Sequence, residues 1–168
     1  MTTNDPRVGM GFDVHPFQSD RPLVLGGVTV RDHGGLAGHS DADALIHAVC
    51  DALLGAAGLN DIGHHFPDTD PQYKGIRSTR LLERVVALLA DAGLCPSNID
   101  VTVIAQSPKL APHFPAMKSV LAPILGISED RIGLKATTNE GLRSWGHDEG
   151  IAAMAVCLIG TAERCPDT

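Results

Sequence analysis

The chain has 168 residues, 43% of them hydrophobic and 20% charged, a composition that suits a globular protein of about one domain. Its net charge of −7 argues against nucleic acid and anionic membrane surfaces as partners, so an anionic substrate would need positive charge supplied locally, by a metal or by helix N-termini. The four cysteines, Cys50, Cys95, Cys157 and Cys165, form no CxxC pair, the opening residues lack the basic and apolar regions of a secretion signal, and no apolar stretch is long enough to span a bilayer; together these predict a reduced, cytoplasmic chain.

No internal repeat or linker divides the sequence, so residues 1–168 are expected to form one domain. Residues 7–14 read as a buried strand. In the stretch "GFDVHPF", Asp13 and His15 are one residue apart and therefore point to the same side of that strand. Residues 22–30, "PLVLGGVTV", read as a second strand with a bulge or bend at Gly26 and Gly27. After the loop "HGGLAGHS" a helix is expected from near Ser40, where Ser40 and Asp43 are spaced like a capping box and Leu45, Ile46, Val49, Leu53 and Leu54 form an apolar face. The loop "GLNDIGHHFPDTDPQYKGIRS" is long for a compact domain, which points to function. A helix over 78–92 is stopped by Gly93; a strand at 100–105, a helix at 113–125 and strands at 131–136 and 151–159 complete the chain. This order mixes hairpins with crossovers and predicts an α+β fold: a mixed β-sheet with helices packed on one face.

Asp43 and His47 are four apart and share a helical face, with His39 and Ser40 at its start. Asp13, His15 and His47 then make an Asp/His/His set, and three N/O ligands beside an open position are how a catalytic zinc is held. The residues alone leave a second reading open: His47 as a hydrogen-bonded core histidine, with Asp13 and His15 decorating a strand end. Asp61, Asp68 and Asp70 in the long loop suit a hard cation or sugar hydroxyls, and equally suit turn chemistry. The adjacent His64 and His65 are given no role. "AQSPKLAP" and "KATTNEG" each follow a strand, where backbone amides and hydroxyls grip a base or a diphosphate; both are also ordinary turn material, and Lys135 also reads as a strand-edge lysine.

Taken in order, "GFDVH", "GHSDAD", "ALIHA", "DALLGAAGLNDIGHHFPDTDP", "IAQSPKLAPH" and "KATTNEG…GHDEGIA" resemble the 2-C-methyl-D-erythritol 2,4-cyclodiphosphate synthase family from about residue 8 to residue 159. The resemblance implies a homotrimer with active sites between neighbouring subunits. It implies a lyase of non-mevalonate isoprenoid biosynthesis that cyclises 4-diphosphocytidyl-2-C-methyl-D-erythritol 2-phosphate and releases CMP. Asp13, His15 and His47 match the family's zinc ligands, one zinc per subunit. His39 and Thr138 match the pair that steadies the transferring phosphate. Asp13, His15, His39 and Ser40 also touch substrate in the family. So do the residues matching Asp61, Ile62 and Gly63, and those matching Phe66, Pro67, Asp68, Thr69 and Asp70, around the erythritol and its phosphates. Ala105, Gln106, Ser107, Pro108, Lys109, Leu110 and Ala111 match one wall of the cytidine and diphosphate pocket; Thr137, Thr138, Asn139 and Glu140 match another. Glu140 matches a ligand of a second divalent ion, magnesium or manganese, that bridges the diphosphate.

One block departs from the family. In "EGLRSWGHDEG", Ser144 stands where an aromatic is usual, with Trp145 beside it, and His147 stands where the family has arginine. That arginine lines an axial cavity in which several family members hold an isoprenoid diphosphate. Histidine is mostly neutral at neutral pH, so binding there is expected to be weak at pH 8 and stronger towards pH 6, with Arg143 as a substitute donor. Two other functions fit parts of the pattern. A metal-dependent phosphohydrolase would need a water-activating base, and none stands out. A trimeric ligand-binding module with a structural metal would need a fourth protein ligand.

Overall fold

A computed structural model of the chain describes residues 5–141 and 149–161. In chain order the elements are β1 (Arg7–Gln18), β2 (Leu23–Leu25), β3 (Val28–Arg31), β4 (Gly35–Leu36), α1 (Ala44–Ala57), α2 (Ile62–His65), α3 (Ser78–Asp91), β5 (Leu94–Ile104), α4 (Phe114–Leu125), β6 (Ile132–Thr137) and β7 (Gly150–Thr161). Five strands form one sheet in the order β4-β1-β7-β5-β6, and β2 pairs with β3 separately. Only the β5–β6 pairing is parallel in the larger sheet. The sheet is therefore mixed, and the helices cover one of its faces, as the sequence predicts.

The alternation along β1 explains how. Gly9 and Gly11 are buried and face α1, where a Cβ would come within 1.9 Å of the Ala52 carbonyl oxygen and 2.0 Å of the Ala48 carbonyl oxygen, respectively. The missing side chains let the helix lie almost on the strand. The same face continues into Asp13 and His15. α1 is enclosed on most sides, with Leu45, Ile46, Val49, Leu53 and Leu54 fully buried between the sheet and α3. The opposite face of β1 carries Val8, Met10, Phe12 and Val14, all exposed, beside exposed Met154 and Val156 of β7. Residues 7–14 are thus a strand, but the expected buried apolar side chains lie on the open face.

Three boundaries differ from expectation for local reasons. The bend at Gly26 and Gly27 is a complete turn between β2 and β3; both residues have positive φ, 57° and 75°, as a two-residue hairpin turn requires. α1 begins at Ala44, not near Ser40, because Ala42 sits at φ 57° and Asp43 supplies the cap, accepting the Ile46 N–H at 3.1 Å. The long loop is broken by α2 and by a short turn of 3-10 helix, Pro71–Tyr73, each started by an aspartate cap. Cys50 and Cys157 are free and buried, as expected, but Cys95 is disulfide-bonded, against the expectation of a fully reduced chain. Among the described residues no helix is long and apolar enough to cross a membrane.

Candidate functional site

β1 and α1 bring three side chains to one point. Asp13 Oδ2 lies 2.9 Å from His15 Nε2 and 3.1 Å from His47 Nδ1. The two imidazole nitrogens are 3.2 Å apart. His47 is in the first turn of α1, and the start of that helix is pinned by buried Asp43, whose carboxylate also accepts the Gly26 and Gly27 N–H groups at 3.0 and 2.7 Å. The hairpin turn, the helix start and the strand end therefore fix one another.

The donor set fits a divalent cation. His15 donates Nδ1–H to the Ala37 carbonyl at 2.7 Å, so in the neutral ring the Nε2 lone pair faces Asp13 and His47, and only the protonated ring donates Nε2–H to Asp13. A carboxylate oxygen and two ring nitrogens, all within 4.8 Å of one another, face inward, and a cation among them relieves the convergence of lone pairs. The electrostatics agree. Burial alone would raise the Asp13 pKa, yet the hydrogen bonds and charges of His15 and His47 outweigh it and hold the carboxyl well below the usual range. Burial would lower the His15 pKa, and the hydrogen bond and charge of Asp13 reverse that and raise it.

A cavity of about 320 Å³ opens beside this cluster. His15, His39, Ser40, His47, Ile62, Gly63, Phe66 and Asp68, all singled out in the sequence, line it. Gly38, from the loop before α1, Tyr73 and Ile76, from the long loop, and Leu81, from α3, line it as well. Tyr73 meets Phe66 edge-on, with ring centres 5.5 Å apart, and stiffens that wall. Not every loop acid faces the cavity. Asp61 caps α2 through the His64 N–H at 2.9 Å, and Asp70 caps the next turn through the Gln72 N–H at 3.0 Å. Asp13, Pro67 and Thr69 are also outside the cavity lining. Asp51, one turn beyond His47 on α1, accepts the Ile62 N–H at 2.8 Å and ties the loop to the helix; its spacing from His47 is the signal that could have found it.

The two other segments stand apart. Ala105, Gln106, Ser107, Pro108, Lys109, Leu110 and Ala111 follow β5; Thr137, Thr138, Asn139 and Glu140 end and follow β6. Both leave the same end of the sheet and are joined by the Ala105 N–H donating to the Thr137 carbonyl at 3.0 Å. None of them lines the cavity. Thr138 donates its hydroxyl to Glu140 Oε1 at 2.9 Å, in a turn where Glu140 adopts φ 53°. Lys135 pairs with Asp100 of the neighbouring strand, the edge role weighed for it. His147, Arg143, Ser144 and Trp145 lie outside the described residues.

With this geometry in hand, the likenesses to known proteins are specific. The YgbB family model matches residues 6–160. The 2-C-methyl-D-erythritol 2,4-cyclodiphosphate synthase of Clostridium perfringens is 55% identical over 153 residues, 91% of this chain and 98% of that protein. The synthase of Dechloromonas aromatica is 57% identical over 153 residues, 91% and 96%. Among solved structures, the bifunctional IspDF of Campylobacter jejuni aligns at TM-score 0.89 and 44% identity over 94% of this chain, which spans 42% of that longer protein. A 2C-methyl-D-erythritol-2,4-cyclodiphosphate synthase described as a CDP-bound form aligns at TM-score 0.83 and 39% identity, covering 91% of this chain and 99% of its own. The chain belongs to the YgbB family, whose named relatives here are 2-C-methyl-D-erythritol 2,4-cyclodiphosphate synthases.

Proposed function

We propose that the protein is a cyclising phosphorus-oxygen lyase that converts 4-diphosphocytidyl-2-C-methyl-D-erythritol 2-phosphate to 2-C-methyl-D-erythritol 2,4-cyclodiphosphate and CMP, as a single domain over residues 1–168. The observation that carries it is the convergence of Asp13, His15 and His47 beside a cavity walled by the long loop. An oxygen of the substrate's 2-phosphate attacks the β-phosphorus, the bond from that phosphorus to the bridging oxygen breaks, and the electron pair leaves with CMP. Both reacting groups are anionic, so the protein's work is positioning and charge neutralisation. Asp13, His15 and His47 hold a zinc or similar divalent ion, which when bound supplies Lewis-acid charge to a phosphate oxygen. His39 stands at the cavity rim, where it would meet the transferring phosphate, and the Thr138 hydroxyl would meet it from the other side. Ser40, Ile62, Gly63, Phe66 and Asp68 orient the erythritol end. The segments at 105–111 and 137–140 hold the cytidine diphosphate, with Glu140 holding the second divalent ion, magnesium or manganese. No side chain is required as nucleophile or general base.

The active form in this proposal is a homotrimer. Two observations support it: the metal cavity and the nucleotide segments do not meet within one chain, and β1 and β7 expose a continuous apolar face. A partner chain would cover that face and bring its nucleotide segments to the cavity. A weak, pH-dependent isoprenoid diphosphate site at His147 belongs to the same proposal; titration calorimetry with geranyl diphosphate at pH 8 and pH 6 tests it, and tight binding that ignores pH removes His147 from the site. A cytoplasmic setting is also proposed, and it requires the Cys95 thiol to be reduced in the cell, which thiol labelling of the extracted protein checks. The activity itself is tested by incubating the protein with the cytidylated substrate and following ³¹P signals. CMP together with a cyclic diphosphate is expected; CMP with free phosphate would indicate hydrolysis instead.

A further inference from the structure

The side of His47 that faces away from Asp13 and His15 is as tightly held as the side that faces them. His47 Nε2 lies 2.9 Å from the Ser78 hydroxyl, and Ser78, the first residue of α3, is fully buried. The Ser78 hydroxyl is also hydrogen-bonded to Asp41 Oδ1, and the Ser78 N–H donates to Asp41 Oδ2 at 3.0 Å. The Asp41 N–H donates in turn to the Ile76 carbonyl at 3.1 Å, so the carboxylate is anchored from its own backbone.

The directions of these bonds follow from what each group can do. An ionised carboxylate only accepts, so the Ser78 hydroxyl proton points to Asp41. The Ser78 oxygen is then placed to accept from His47 Nε2, while the Asp13 carboxylate draws the same proton to Nδ1; once Nδ1 is given to a metal, the proton belongs on Nε2 and Ser78 receives it. Nδ1 is the atom 3.1 Å from Asp13 Oδ2. Ser40 Oγ, at 3.2 Å from Nε2, is a second acceptor, but it already takes the Ala42 N–H at 3.0 Å.

We propose that Ser78 and Asp41 are positioning residues that orient His47 and bias its proton towards Nε2, and so favour Nδ1 as the atom that meets a divalent metal. The inference rests on the metal reading of Asp13, His15 and His47. Neither residue lines the cavity; they act through His47. The relay also joins the site to a helix remote in sequence, because Asp41 takes the first N–H of α3, whose own cap residue Arg77 makes no side-chain capping bond.

Two variants separate this role from a purely structural one. Ser78→Ala removes the acceptor but keeps the backbone N–H that Asp41 holds. Asp41→Asn keeps an acceptor for that N–H and turns its NH₂ towards the Ser78 oxygen, so the serine proton is redirected to His47 Nε2. The expected readout on the metal-free protein, labelled with ¹⁵N-histidine, is a share of Nε2–H in His47 that is largest in the wild type, lower in Ser78→Ala and lowest in Asp41→Asn. Zinc affinity, measured by competition with a chelating dye, should fall about 10–100-fold in both variants. Because the tautomer is read without metal and the variants change different atoms, a folding defect in one leaves the other decisive. Unchanged tautomer and zinc affinity overturn the inference alone. Failure of the wild type to bind zinc overturns the metal reading and the inference with it.

Discussion

The proposed metal corner and the proposed nucleotide segments lie at the same end of the sheet but are built differently. At the corner, Asp13, His15 and His47 are partly buried, and the outward nitrogen of each ring is held within the chain, His15 Nδ1 by the Ala37 carbonyl and His47 Nε2 by Ser78. At the nucleotide segments, Gln106, Ser107, Lys109, Thr137, Thr138 and Glu140 are exposed, and their side-chain bonds are local, such as Thr138 to Glu140. One half of the site is finished by the folding of a single chain. Among the described residues, the other half is an exposed surface. In the proposed trimer, a site divided this way would couple chemistry to assembly, since the apposition of chains would complete it.

Breaking the first half should have the largest effect. His47→Ala removes a donor from the cluster and should abolish zinc binding and reduce turnover below detection, with the far-ultraviolet circular dichroism spectrum unchanged. Normal zinc content in that variant, measured by atomic emission, would remove His47 from the site. Breaking the second half leaves the metal in place. Phe12→Asp puts a carboxylate in the centre of the exposed apolar face of β1. Burying it between chains would cost about 3–5 kcal/mol, enough to weaken assembly by at least ~10²-fold. Light scattering should then report monomer, activity should fall in step, and zinc content should stay near wild type. Activity retained in a monomer would refute the shared site.

A subtler change sharpens the division of labour. Thr138→Ala removes a hydroxyl on the nucleotide side without touching the metal ligands. If that hydroxyl meets the phosphate in the transition state, kcat and kcat/KM should drop together by ~10²-fold with KM little changed. A rise in KM alone would make Thr138 a binding residue.

The division also explains what the sequence could show. Asp13 and His15 were legible because strand alternation gives them one direction, and His47 because a helix places it there. The expected start of α1 near Ser40 failed because Ala42 takes a left-handed conformation that no propensity scale marks, and the cap passes to Asp43. The role of β1 was harder to read. Its apolar residues look like a core stripe, but Gly9 and Gly11 admit the helix on the other face and leave the stripe exposed. Asp41 and Ser78 were hidden for a different reason: they are 37 residues apart, and only tertiary folding sets them behind His47.

The smallest expected effect concerns the anchor beneath the metal corner. Asp43 is fully buried and accepts three backbone N–H groups, from Gly26, Gly27 and Ile46. Burial, helped by the negative charge of Asp41, outweighs those three bonds and pushes its pKa up to about 6. In the unfolded chain an aspartate titrates near ~3.9. The folded state therefore holds a proton that the unfolded state has released between about pH 4 and 6. The stabilising contribution is complete below the unfolded value and is lost as pH rises through the folded one. From pH 5 to pH 7.5 that loss amounts to about 1 kcal/mol. Asp43→Asn cannot ionise, and it lacks the second acceptor for the Gly27 N–H, so it should be less stable at every pH. Its stability should nevertheless lack this component of the pH dependence. Urea unfolding of both metal-free proteins at pH 5 and pH 7.5 gives the comparison: the wild type should lose about 1 kcal/mol more than the variant over that interval. Equal losses would mean that Asp43 stays ionised throughout, held by the helix start and the hairpin turn more strongly than burial opposes it.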